Sequence, residues 1–224
     1  MEHSPAASTP RYIVPFLGFL AFLALHSAWP LSPRTDFLLR DLTIGALLIF
    51  YSRPVIELRP RFLVASAVLG VVVFVIWIGP DVLFPEYRRL PLFQNSLTGL
   101  SQTSLPLASL SDPVVLALRV LQAVVIVPIV EELFWRAWLM RWLINTDFRR
   151  VPLGAYAPFA FWITAILFAS EHGPYWDVGL ITGIIYNLWM IRSKSVADCI
   201  LMHAVTNGIL SIYVISTAQW QYWL

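Results

Sequence analysis

Glu131-Glu132-Leu133-Phe134-Trp135-Arg136 ends the run Val120 to Val130, which carries no charge. Three ionisable side chains closing so apolar a segment decide how the chain is read. A charged group at bilayer depth costs about 2.5–3.5 kcal/mol on insertion scales, so such groups mark function and require a named partner. On a helix, Glu132 and Arg136 are i,i+4 neighbours on one face, whereas Glu131 points about 100° away. One carboxylate is then neutralised locally and the other is free for chemistry.

The surrounding composition makes bilayer depth the right frame. The 224 residues are 58% hydrophobic and only 12% charged, and the mean hydropathy is +0.73. These values exclude an ordinary soluble enzyme and indicate an integral membrane protein. A spanning helix needs about 20 apolar residues, so this length holds an all-α, polytopic bundle of about seven spans (six to eight) in a single domain, 1–224. The net charge of +2 comes from 14 Arg and one Lys against 13 acidic residues. The basic residues lie in short clusters between apolar runs, a pattern of membrane topology and not of nucleic-acid binding. A lone Cys199 excludes an internal disulfide and reads as a buried small hydrophobe.

In chain order, Met1 to Pro10 reads as disordered. Spans follow at Tyr12 to Trp29, Phe37 to Tyr51 and Phe62 to Ile78. Tyr12 to Trp29 lacks a small-residue cleavage site, so it is read as a retained span. Arg40 and Asp41, adjacent in sequence and near the start of the second span, are expected at the interface. Gly79-Pro80 is expected to end the third. Asp81 to Ser111, with three prolines, is a long connection with room for an interfacial or re-entrant piece.

Asp112-Pro113 is a helix start, an N-cap residue followed by proline at the first helical position. An unbroken helix from there to Leu143 is about 48 Å long against a hydrocarbon core of about 30 Å, so it must tilt, protrude or kink, with Pro128 the expected kink. Three more spans, Gly154 to Glu171, Tyr175 to Ile191 and Val196 to Ser216, are joined by tight connections and therefore pack as antiparallel neighbours. Gly179 and Gly183 offer a flat face for close approach, with Tyr186 one turn further. Trp220 to Trp223 reads as an interfacial aromatic anchor, and the alternation of basic clusters puts Arg11, Arg53 to Arg61, Arg141 to Arg150 and Arg192/Lys194 on the cytoplasmic side.

Two further polar sets lie in the apolar spans: Phe168-x-x-x-His172, and His203-x-x-x-Asn207, whose ends share a helical face. A lone intramembrane His or Asn is usually an interhelical tie. Two carboxylates, two imidazoles, a guanidinium and an amide on neighbouring helices exceed what packing requires. They supply a carboxylate base, an imidazole to share a proton and donors for an oxyanion, the parts of a water-activating hydrolase. Ser170 lacks a nucleophile-elbow context, and Cys199 lies on a different face from Asn207.

Taken in order, Glu131-Glu132-x-x-x-Arg136, Phe168-x-x-x-His172 and His203-x-x-x-Asn207 resemble the three-motif signature of the CAAX prenyl protease and bacteriocin-processing (abortive-infection) family of intramembrane glutamate-type proteases, over a core at about 112–216. By size the chain resembles bacterial members associated with exosortase and protein sorting. The resemblance implies that Glu131 with His172 activates water, that His203 and Asn207 stabilise the oxyanion, and that Glu132, Arg136 and Phe168 support them. It further implies no cofactor, a membrane-associated protein or peptide as substrate, and a multi-pass protein of the bacterial inner membrane. Ala137 departs from the Gly common in the family, and Glu171 could orient His172 or face the interface. Two alternatives stay open: a zinc-dependent protease using Glu131, His172 and His203 as ligands, against which the usual His-Glu-x-x-His spacing is absent, and a non-catalytic scaffold or transporter-like binding protein.

Overall fold

The computed structural model describes residues 8–29 and 31–223, with side chains 26 and 27 left aside; residues 1–7, most of the stretch expected to be disordered, lie outside it. Seven helices follow one another: α1 (Pro10–Ala28), α2 (Pro33–Leu47, continued by a π-helical turn Leu48–Ser52), α3 (Leu63–Leu83), α4 (Pro113–Trp142), α5 (Pro158–Ser170), α6 (Trp176–Ser193) and α7 (Val196–Thr217). No strand occurs among the described residues beyond one isolated bridge, Asn95 to Gly99. Three helices, α3, α4 and α7, are long and apolar enough to cross a membrane, while α1 and α5 contribute shorter apolar stretches. The outside of the bundle fits that medium, since Phe50, Val64, Val75 and Ile212 are all exposed. An apolar exterior with polar groups turned inward is the arrangement a bilayer demands.

The helix ends are where local sequence puts them. Proline opens α1, α2, α4 and α5, where its missing N–H costs nothing. Asp112 caps α4 by accepting the Val114 N–H at 3.0 Å, and Ser195 caps α7 by accepting from Asp198. Lys194 and Ala218, both left-handed, stop α6 and α7.

Three expectations need correction, and the connection 81–111, left open by the sequence, takes a definite form. Helix α3 does not end at Gly79-Pro80 but runs through Pro80 to Leu83, because proline in a final turn removes one hydrogen bond without blocking the Phe84 N–H from reaching the Pro80 carbonyl. Arg40 and Asp41 are buried and not interfacial: Arg40 pairs with Asp36 one turn back, and Asp41 accepts from Gln122 of α4 at 3.1 Å. The connection 81–111 holds only short 3-10 turns, Tyr87–Arg89 and Leu107–Ser109. It is held by Arg88, which donates to Asp81 (3.0 Å), Asp177 (2.5 Å) and the Pro174 carbonyl (2.8 Å). Finally, Tyr222 and Trp223 are buried against this connection, with the Ser104 N–H bonded to the Trp223 carbonyl, so the terminal aromatics are packed into the protein.

The bundle has two distinguishable ends. At one, Ser52 donates to the Arg11 carbonyl, and Asp198 of α7 accepts from the Arg61 N–H, the Phe62 N–H and the Ser66 hydroxyl, each at 2.8 Å. At the other, Arg34 forks onto Asp112 and Arg88 grips Asp177. Between them α3 and α7 touch closely at Gly70, where an added Cβ would stand 2.6 Å from the Met202 carbonyl oxygen.

A backbone oxygen cannot move aside as a side chain can, so Gly70→Ala is expected to lower the melting temperature in detergent, by the equivalent of about 1–3 kcal/mol for overpacking. Gly45→Ala is the matched control: its Cβ meets nothing within 4 Å and alanine is the better helix former, so stability should hold or rise. Equal melting temperatures for the two variants would contradict the close α3–α7 contact.

Candidate active site

Helix α4 is where the site is made, and its backbone is irregular on both sides of the acidic pair. The α-helical turn Val127–Glu132 is flanked by π-helical turns at Gln122–Ile126 and Leu133–Leu139. The interruption expected at Pro128 therefore takes the form of widened turns, which are rare and gather at functional positions. The first has a traceable cause and consequence. The Val127 N–H bonds the Gln122 carbonyl five residues back, and residue 128 is a proline without an N–H. The Ala123 carbonyl thus loses its donor from within the helix. Asn207 of α7 supplies one, its Nδ2 donating to that oxygen at 2.8 Å.

Four residues further on, Glu132 is fully buried and one of its oxygens, Oε1, accepts twice: from Arg136 NH1 at 3.1 Å and from His203 Nδ1 at 2.9 Å. A carboxylate only accepts, so the His203 proton sits on Nδ1 and Nε2 is the ring atom left for other partners. Arg136, also fully buried, continues the network through Nε to Asn187 Oδ1 at 3.3 Å, and Asn187 in turn donates to the Phe161 carbonyl at 2.9 Å. Its guanidinium lies 4.3 Å from the Phe168 ring centroid and 5.1 Å from that of Tyr186. Those faces supply the cation–π attraction appropriate to a desolvated arginine.

His172 stands at the end of α5, where the helix has stopped. Its Nδ1 donates to the Phe168 carbonyl at 2.7 Å, leaving the Nε2 lone pair free. The ring packs edge-on against Trp77 and tilted against Phe168, and it passes so close to α6 that a Cβ on Gly179 would stand 3.3 Å from it. Phe168 therefore serves three groups at once: its carbonyl fixes the His172 tautomer, its face covers Arg136, and its edge bounds His203.

A cavity of about 630 Å³ joins these parts. Glu131, Glu171, His172, His203 and Asn207 all line it. Glu131 Oε2 is buried with no hydrogen-bond partner among the described residues, so a carboxylate oxygen is left unsatisfied at the cavity wall. Burying such a group without a partner is costly, and on this wall a donor from a molecule in the cavity is what would satisfy it. Glu171 does not orient His172, whose Nδ1 is already engaged by Phe168; it is exposed to the cavity instead. Ser170 bonds the Leu167 carbonyl, Cys199 is buried beside the Tyr186 carbonyl, and Ala137 is packed with its carbonyl accepting from Arg141.

Among the described residues no three of His, Cys, Asp or Glu come together as a group that could hold a metal ion, so Glu131, His172 and His203 do not gather around one point as a ligand set. The sequence reading missed Asn187 and Gln122, and it placed Tyr186 on a packing face without its cover of Arg136. An amide in each of two apolar helices, α6 for Asn187 and α4 for Gln122, was the available signal, since an intramembrane Asn or Gln needs a partner as surely as a charge does.

Residues 113–209 match the family model of Rce1-like proteins, the type II CAAX prenyl endopeptidases. The resemblance carried by the three motifs therefore holds over this segment, which contains Glu131, Glu132, Arg136, Phe168, His172, His203 and Asn207. No curated protein and no solved structure gave a match.

Asn207→Ala leaves the part-buried Ala123 carbonyl without its side-chain donor, and losing such a hydrogen bond costs about 0.5–1.5 kcal/mol. Its melting temperature should fall clearly below wild type, whatever the variant does to activity. An unchanged melting temperature would mean that the π turn does not depend on Asn207.

Proposed function

We propose that this protein is a multi-pass intramembrane endopeptidase of the CAAX-protease type, in which Glu131 and His172 activate water and His203 and Asn207 stabilise the oxyanion. The observation that carries the reading is the unpartnered Glu131 oxygen on the wall of a cavity shared with both imidazoles and the Asn207 amide. Neither Ser170, which bonds the Leu167 carbonyl, nor Cys199, buried beside the Tyr186 carbonyl, lines that cavity as a nucleophile.

The steps follow from which atoms are free. Water held between the Glu131 carboxylate and the His172 Nε2 lone pair gives its proton to Glu131 as its oxygen attacks the scissile carbonyl carbon, and the carbonyl π electrons move onto oxygen. The resulting oxyanion is met by the second N–H of Asn207, the first being committed to Ala123, and by His203 through Nε2 when that ring carries both protons. Glu132 accepts from His203 Nδ1 as well as from Arg136 and so fixes the ring's orientation, a role beyond pairing with Arg136. The carbonyl re-forms as the C–N bond breaks, and Glu131 returns the proton to the leaving nitrogen. The substrate class is a membrane-associated protein or peptide, and the setting is a cell membrane with the basic clusters on its cytoplasmic side.

Glu131→Gln preserves shape and removes the base, so peptide hydrolysis by the purified protein should fall to background with the melting temperature nearly unchanged. Turnover within about tenfold of wild type, a barrier change of only about 1.4 kcal/mol, would rule the glutamate mechanism out. Exhaustive chelation of the wild-type protein should leave its turnover intact; loss on chelation with recovery on added zinc would transfer the reading to metal-dependent hydrolysis.

A further inference from the structure

The cavity is not centred in the bundle. Glu131 and His203, near the middle of α4 and α7, form its floor, and from there the lining runs toward one end: Leu23 late in α1, Phe37 early in α2, Trp77 late in α3, Gln122 early in α4, Phe168 late in α5, Thr182 in the first half of α6 and Leu210 late in α7. Because successive helices alternate in direction, these positions all lie toward the end marked by the Arg34–Asp112 and Arg88–Asp177 pairs. The cavity wall reaches that end, since Leu31, Ser104, Pro106 and Trp223 also belong to it. Toward the opposite end the bundle is shut beneath the site. There lie the buried Glu132–Arg136–His203 network, the Asp198 clasp on Arg61, Phe62 and Ser66, and Arg141 bonded to the Ala137 and Val151 carbonyls.

The two ends also differ in charge. Arg11, the Arg53 to Arg61 group, the Arg141 to Arg150 group and Arg192/Lys194 fall at the closed end, whereas the connections and helix starts of the open end carry Arg34, Arg88 and Arg89, each paired with an acidic residue, with Arg40 and Arg119 further in at the cavity wall. Short loops rich in Arg and Lys stay in the cytoplasm. One wall of the cavity is apolar, and Leu23 on it is 45% exposed, so the wall continues onto the lipid-facing side of α1.

We infer that the cavity holding Glu131, His172, His203 and Asn207 opens to the non-cytoplasmic face, so that its substrate is an already exported polypeptide segment presented next to its own apolar membrane anchor. This rests on the protease reading for the word substrate, but the direction of opening does not. It also excludes a class: polypeptides anchored to the membrane from the cytoplasmic face cannot reach Glu131 without first being translocated.

The single native cysteine, Cys199, is fully buried, which gives a quiet background for thiol labelling. Ser104→Cys puts a thiol at the cavity rim and Arg59→Cys puts one at the closed end, both at exposed positions. With each full-length variant in the cytoplasmic membrane of bacterial spheroplasts, a membrane-impermeant maleimide should label Ser104→Cys in intact spheroplasts and Arg59→Cys only after lysis. The reverse pattern overturns the inference, and so does labelling of Ser104→Cys only after lysis. Because hydrolysis is not read here, a failed labelling pattern leaves the protease reading standing, and an active Glu131→Gln would leave the labelling pattern standing.

Discussion

The Glu132 carboxylate is the constraint on which the rest of the site depends. It is fully buried in an apolar bundle, and the same oxygen accepts from Arg136 on its own helix and from His203 on α7. A bare carboxylate in that position would cost several kcal/mol, so α4 and α7 must pack where both donors reach it. Arg136 in turn requires cover, supplied by Asn187 and by the faces of Phe168 and Tyr186 on α5 and α6. Four helices are thereby fixed around one ion pair. Glu131, one residue earlier and on a different face, inherits a defined place without taking part.

The same logic explains why α4 is irregular. A regular helix would satisfy the Ala123 carbonyl internally and leave Asn207 nothing to hold. Pro128 removes one donor and the π turn diverts another, so the α4 backbone needs α7 at the level of the cavity. The tie and the proposed oxyanion role are compatible because an amide nitrogen carries two protons. His172 is held in the complementary way, by a carbonyl at the end of α5, so His172, His203 and Asn207 are each set by a backbone or carboxylate partner that leaves one specific atom free.

Much of this was legible in the sequence, and what was not has physical causes. The helices announce themselves through apolar length and through Asp112-Pro113, because capping is a local matter. The Glu132–Arg136 pair follows from i,i+4 spacing, and the co-location of Glu131, His172, His203 and Asn207 from short connections. Partners across helices did not follow from spacing. Asp41 binds Gln122, Arg136 binds Asn187, and His203 binds Glu132 instead of acting only with Asn207, because such contacts depend on helix rotation, which no local pattern encodes. The terminal aromatics were misplaced for a related reason: Trp and Tyr suit an interface and a buried seam equally, and only the packing of 81–111 decides between them.

The central claim is that Glu132 is held in the bundle by Arg136. Removing Arg136 alone should leave a buried charge with insufficient compensation, a loss of about 3–5 kcal/mol for broken buried pairs. Removing both should relieve part of that loss, since the uncompensated carboxylate goes too. The measurement is thermal unfolding in detergent of Arg136→Ala beside the double variant Arg136→Ala, Glu132→Ala. A higher melting temperature for the double variant is the result this account predicts; a double variant no more stable than Arg136→Ala would contradict it.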